Sequence, residues 1–167
     1  FRKRKNYYSI RAVFIPETIG SIVYLSKKLP ILKKNVIAGF NLSCLGDQRC
    51  YSFLPSRNGK TLSDRVSESV LKWTDKKYKK YSWLERGSDE RQYCSPGVDL
   101  PVASVTRSKF GEYPEYHTSY DDFHRVVTPI GLLGSYELYI KLIDAIQNNY
   151  YPKYKILCEP KLSKYNL

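Results

Sequence analysis

Apolar positions along the 167 residues fall into strand-like and helix-like stretches that alternate. Residues 8–15, Tyr-Ser-Ile-Arg-Ala-Val-Phe-Ile, are rich in β-branched and aromatic types and stop at Pro16, which predicts a strand. From Thr18 to Leu29 the residues Ile19, Ile22, Val23 and Leu25 recur at mainly helical spacing, with Lys27 and Lys28 in the last turn and Pro30 as the stop. Residues 35–45 form a near-continuous apolar run, the pattern of a strand buried on both faces. A loop is expected from Gly46 to Gly59. Thr61-Leu62-Ser63-Asp64 reads as a helix start, with Leu62, Val66, Val70 and Trp73 as an apolar stripe reaching about Thr74. Tyr78 to Trp83 alternates as a strand would. Gly87 to Gly97 is a polar loop, and residues 100–106 form another short strand. Residues 107–128 show no periodicity, and a structureless loop of that length inside a domain is often functional. Thr128-Pro129 supplies a cap and a first-turn proline for a helix to about Asn148. The alternation implies an α/β fold: a three-layer α/β/α sandwich with a mostly parallel sheet.

Length suits one domain, and a hydrophobic fraction of 42% suffices for a core. No apolar run is long enough to span a membrane, and basic Phe1 to Lys5 is not followed by the core of a signal peptide. A soluble cytoplasmic protein is the expectation. The chain contains no methionine, so it reads as an internal fragment of a longer protein, with residues 150–167 as a linker. The formal charge of +12 raises a nucleic-acid partner, with Lys76 to Tyr81 as a basic-aromatic cluster able to face a polyanion. AT-rich codon usage explains the same lysines without any partner. Cys44, Cys50, Cys94 and Cys158 lack Cys-x-x-Cys spacing and read as buried free thiols.

Three loops carry the candidate chemistry. Glu17 sits where a strand hands over to a helix, the place where open α/β sheets bind ligands; it also suits a helix N-terminus through the dipole alone. Ser88-Asp89-Glu90-Arg91 lies in the second loop, and Tyr116-His117-Thr118-Ser119-Tyr120-Asp121-Asp122 in the third. Zinc hydrolysis needs protein ligands, an open position for water and a carboxylate to take the water's proton. Here His117 could supply a ligand, Glu17 the base and Tyr116 a donor to an oxyanion, while Asp89 and Arg91 could orient a substrate terminus or brace the site. A lone Tyr-His in a loop is more often structural than metal-binding, and each motif is weak alone. Asp121 and Asp122 either hold His117 or cap a turn, and His124 reads as a surface residue.

In order and spacing these segments resemble the zinc aminopeptidase and glutamate carboxypeptidase superfamily. The phrases Glu17-Thr18-Ile19-Gly20-Ser21, Asn41-Leu42-Ser43-Cys44-Leu45-Gly46, Ser88-Asp89 and Tyr116-His117-Thr118 carry the likeness. Phe14 to Ser21 and Glu85 to Gly97 are closer still to a bacterial group of aminopeptidase-like proteins encoded near surface-polysaccharide genes. That group bears a C-terminal winged helix, which the resemblance would place beyond the linker; nucleic acid is a possible partner of that module. The resemblance implies that residues 1–149 are the C-terminal part of a peptidase-like domain acting on a peptide or an acylated amino-sugar. It implies Glu17 as general base, Tyr116 as transition-state donor and His117 as zinc ligand. Thr18 stands where a zinc-binding Glu belongs and Ser43 where an Asp ligand belongs, and neither hydroxyl replaces a carboxylate well. Asp47, four residues on from Ser43, could substitute, though spacing cannot show it, and one zinc ion is expected. The alternatives are a catalytically inactive binding protein on the same fold and a basic nucleic-acid-binding module.

Overall fold

A computed structural model describes residues 5–150, 153, 155, 157–159 and 161–166. Helix α1 (Ile19–Asn35) precedes strands β1 (Gly39–Asn41) and β2 (Ser52–Leu54) and helix α2 (Leu62–Thr74). Strand β3 (Lys79–Lys80), the short helix α3 (Glu90–Tyr93), β4 (Val102–Thr106) and α4 (Pro129–Gln147) follow. The sheet has the order β1-β4-β2-β3. β1 runs parallel to β4 and β2 to β3, and the two pairs meet antiparallel between β2 and β4. The sheet is therefore mixed.

β4 is central because both its faces can be buried. All five of its residues are buried, and their alternation divides two cores. Ala103 and Val105 join Phe53, Leu71, Leu138 and Leu142 under α2 and α4. Val102 turns the other way to Leu25, Leu32, Cys94 and Leu100 beneath α1 and α3. This makes the three-layer α/β/α arrangement. Among the described residues no helix is long and apolar enough to cross a membrane.

Several expectations need correction. Residues 8–15 form no strand, and most are exposed; among the described residues no neighbour offers a hydrogen-bonding ladder to their backbone. α1 does not stop at Pro30 but runs through it to Asn35. Pro30 and Ser26 are both exposed, so water can take the Ser26 carbonyl that the proline leaves free, while Leu32 continues the buried stripe. Only three residues of the 35–45 run are strand, and β1 is a half-buried edge rather than a doubly buried strand. β2 lies inside the segment expected to be loop. The 78–83 strand shrinks to Lys79–Lys80, followed by a 3-10 turn at Trp83–Glu85. α2 begins as expected, with a reciprocal cap between Thr61 and Asp64, but Trp73 leaves the apolar stripe and is 83% exposed. Cys94 is buried, Cys44 and Cys50 are half-buried, and Cys158 is exposed. The segment 150–167 lies partly outside the described residues, and its described part includes a 3-10 turn at Leu162–Tyr165.

α4 is set by its cap and by a glycine contact. Thr128 Oγ1 accepts from Gly131 N at 3.0 Å, and Thr128 N donates to the Gly46 carbonyl at 2.9 Å. Ser135 Oγ donates to the Leu45 carbonyl at 2.6 Å. A Cβ on Gly131 would stand 1.9 Å from that Gly46 carbonyl, whereas one on Gly134 would meet the Tyr51 hydroxyl at 2.9 Å. The first obstacle is backbone and the second is a side-chain end. Gly131→Ala is expected to cost about 1–3 kcal/mol by forced displacement, and Gly134→Ala distinctly less, as read from urea-unfolding midpoints.

Candidate active site

Four non-glycine residues between 5 and 150 have positive φ: Thr18 (61°), Cys44 (48°), Asp99 (52°) and His117 (60°). Three of them lie in the segments singled out above. Such conformations cost on the order of 1–3 kcal/mol each and persist where the surroundings impose them.

At Thr18 the imposing contacts are visible. Ile19 N donates to the Glu17 carbonyl at 2.7 Å, closing a γ-turn around Thr18, whose ψ is −67°. Thr18 N donates to Asp89 Oδ1 at 2.7 Å. Ser88 Oγ donates to Glu17 Oε1. Gly20 permits the tight turn, since a Cβ there would meet Ile15 Cβ at 2.8 Å. The exposed Glu17 carboxylate is thus held by the Ser88-Asp89 loop rather than by its own segment.

That loop is held by Glu90. The side chain is fully buried, and its two oxygens accept four bonds from neutral donors. Oε1 takes Gly87 N at 2.8 Å and Ser88 N at 3.0 Å. Oε2 takes Asn41 Nδ2 at 3.0 Å and Ser104 Oγ at 3.1 Å. Asn41 ends β1 and Ser104 lies in β4, so one carboxylate ties the loop to two neighbouring parallel strands.

The third loop is a chain of turns. Tyr113 is buried and donates to Asp121 Oδ2 at 2.8 Å, with Cys44 Sγ 3.7 Å from the same hydroxyl. Burial, then these two partners, push the Tyr113 phenol well above its usual range. Tyr116 packs edge-on to Tyr113, and exposed His117 stacks on Tyr116 with centroids 3.9 Å apart. Burial raises the Tyr116 pKa, followed by the fields of Cys44, Glu17 and Asp121. Tyr116 therefore stays a protonated donor and lies within electrostatic reach of Glu17. Arg49 anchors the loop through Glu115 at 2.8 Å. Phe110 packs against Gly87, joining this loop to the second.

Of the residues read from sequence, Glu17, Asp89, Tyr116 and His117 stand in these three associated loops. Arg91 is exposed on α3 with no side-chain partner among the described residues. Asp47 has another task. It is buried, and its carboxylate accepts Arg49 N at 2.8 Å, Ser108 N at 2.8 Å and Ser108 Oγ at 3.0 Å. Asp122 caps the turn at His124 and Arg125, and Asp121 holds Tyr113, so neither was found bonded to His117. Among the described residues no three His, Cys, Asp or Glu side chains gather as a metal ion needs. The donor set of the described residues does not by itself complete a zinc site. Ser88, Glu90, Cys44 and Tyr113 were given no role by sequence reading. Only the polar Ser-Asp-Glu run hinted at the first two.

The family described as a domain of unknown function, DUF4910, matches residues 1–149. A Clostridium acetobutylicum protein named "Putative polysaccharide biosynthesis protein with aminopeptidase-like domain" is 39% identical over 163 residues, 97% of this chain and 37% of that protein. A crystal structure described as a "putative peptidase" from the same organism superposes with a TM-score of 0.88 at 38% identity, over 98% of this chain and 38% of that one. The chain spans little more than a third of the length of these relatives.

Two outcomes are expected. Glu90→Gln turns an amide NH2 toward donors, and leaving such buried groups unmatched should cost about 1–3 kcal/mol or more, seen as a lowered melting temperature. Glu115 is held below the usual carboxylate range, first by its bond to Arg49. Its contribution is complete above the unfolded pKa of about 4.3 and is lost as pH falls through the folded value. Arg49→Ala should raise the Glu115 pKa in an NMR titration and remove this acid-side dependence from exchange of the Thr118 amide.

Proposed function

The chain belongs to the DUF4910 family, and on that premise we propose that it is part of an aminopeptidase-like amide hydrolase in which Glu17 is the general base. The observation that carries the reading is the tie of Glu17 to Ser88 and of Thr18 to Asp89 across a strained turn. Ser88 donates to one carboxylate oxygen and stabilises the anion. The exposed side chain keeps an oxygen for the proton of an attacking water. Tyr116, kept protonated, donates to the oxyanion that forms on the amide carbonyl. Asp89 braces the turn, and Arg91, free at the same corner, offers its guanidinium to a substrate carboxylate.

His117 is proposed as this chain's ligand to a single zinc ion, whose remaining ligands would come from outside the described residues. Zinc would supply a water acidified enough to attack near neutral pH. Asp47 is the weaker ligand candidate, because its buried carboxylate already holds Ser108 and the Arg49 amide. A peptide or an acylated amino-sugar is the proposed substrate, and the relative's polysaccharide name supports the second. A cytoplasmic location is part of the same proposal. The rival is a non-catalytic binding protein on a peptidase fold. It is favoured by the lack of a three-donor set among the described residues and by Thr18 and Ser43 where the resemblance expects carboxylates.

The test uses the full natural polypeptide. About one zinc per chain by elemental analysis, lost in His117→Ala, is expected. Glu17→Gln should lower kcat on aminoacyl or N-acetyl amides by roughly 10²–10⁴ with little change in KM. Metal retained without His117 would overturn that ligand assignment. Unchanged function in Glu17→Gln would decide for the binding protein.

A further inference from the structure

On the sheet edge opposite β1, α2 and β3 enclose an open groove of about 550 Å³ lined by Arg65, Glu68, Ser69, Lys72, Trp73 and Tyr78. Trp73 is 83% exposed, a large departure for a side chain that is usually mostly buried. The stretch from 65 to 80 carries Arg65, Lys72, Lys76, Lys77, Lys79 and Lys80 against only Glu68 and Asp75. Glu68 is paired to Lys80. The other five cations have no carboxylate within ion-pair distance among the described residues. Lysines on β3 protect an edge strand from pairing with other chains, which accounts for Lys79 and Lys80. It accounts neither for a tryptophan left in water nor for Arg65 and Lys72 on the helix.

We propose that this groove binds single-stranded nucleic acid without sequence preference. Such binding needs cations that follow a phosphate backbone and an aromatic face on which a base stacks. Both are present, with Trp73 as the platform, Arg65 and Lys72 in the same lining, and Lys76, Lys77 and Lys79 on the exposed chain that follows α2. An acidic polysaccharide is the less suitable partner. Its hydroxyls call for free planar acceptors and amides, and this lining holds no amide side chain, while its one carboxylate, Glu68, is tied to Lys80. The shallow shape offers no pocket that would read a base. The groove is separate from the Glu17 site, so the inference stands whether or not that site is catalytic.

The test is fluorescence anisotropy with a labelled oligothymidylate, on wild type, Trp73→Ala, Trp73→Phe and a variant with Lys72, Lys76, Lys77 and Lys79 changed to Ala. All these side chains are exposed, and unchanged melting curves would confirm folding. Contact with four or five phosphates should weaken binding roughly 50- to 130-fold between 50 and 200 mM salt. Trp73→Ala should weaken it by about tenfold, with partial recovery in Trp73→Phe. The lysine variant should flatten the salt dependence. Wild-type affinity in Trp73→Ala would overturn the proposal. So would equal or tighter binding of a sulfated polysaccharide, of anionic vesicles or of duplex DNA.

Discussion

The Glu90 carboxylate is the point on which the geometry of the candidate site depends. A carboxylate removed from water is strongly destabilised unless its lone pairs are met, and here no cation meets them. Four neutral donors do so instead, two from backbone at Gly87 and Ser88 and two from side chains on β1 and β4. Each donor is worth little alone, but leaving any one unmade inside the protein is costly. The loop is thereby locked to the end of β1 and the middle of β4, two parallel strands. Everything further out follows from that: Ser88 faces Glu17, Asp89 meets the Thr18 amide, and Phe110 closes over Gly87.

Backbone strain is distributed in the same way. Thr18 and His117 are held in conformations that their side chains disfavour, and Cys44 sits in a third such turn after β1. Each has a visible restraint. Thr18 has the Asp89 carboxylate, Cys44 lies against the buried Tyr113 hydroxyl, and the His117 turn is pinned by Arg49 and Glu115. Asp99 is the exception. It is braced by an ion pair with Arg57 in the turn before β4 and belongs to a different corner of the molecule. Strain alone does not identify a site, but a strained turn tied through Asp89 to the loop that a buried carboxylate holds narrows where chemistry would be sought.

The sequence was legible where one element met a complete environment. β4 and α4 were readable because their buried patterns are regular and Thr128-Pro129 marks a cap. α2 was readable at its start for the same reason, through the Thr61–Asp64 cap. β2 was not, since three residues before Pro55 give no period to detect. Pro30 misled because a proline on the wet side of a helix does less harm than its propensity suggests. Trp73 misled because helical spacing fixes a face and not whether that face is covered. The order of the motifs marked the loops carrying Glu17, Asp89, Tyr116 and His117 as candidates. Glu90 was invisible as a keystone, because its partners lie 49 and 14 positions away. The bonds from Ser108 to Asp47 were equally hidden, because spacing in sequence cannot show a partner 61 positions away.

One consequence concerns how Glu17 is aimed. In a sheet with a complete ladder, a residue at the end of a strand is placed by backbone pairing along that strand. Residues 8–15 have no such pairing in the described structure. They are tied near one end by Gln147, which exchanges two bonds with the Tyr8 backbone at 2.8 and 2.9 Å. At the other end they are tied by the contact of Ile15 with Gly20. Between these points Phe14 is 94% exposed and Ile10 44%. A carboxylate at the end of so weakly supported a segment would wander unless something outside the segment fixed it. Ser88 and Asp89 supply that restraint, one on the side chain and one on the next amide. The orientation of Glu17 is therefore a property of the Glu90 network more than of the chain that carries Glu17.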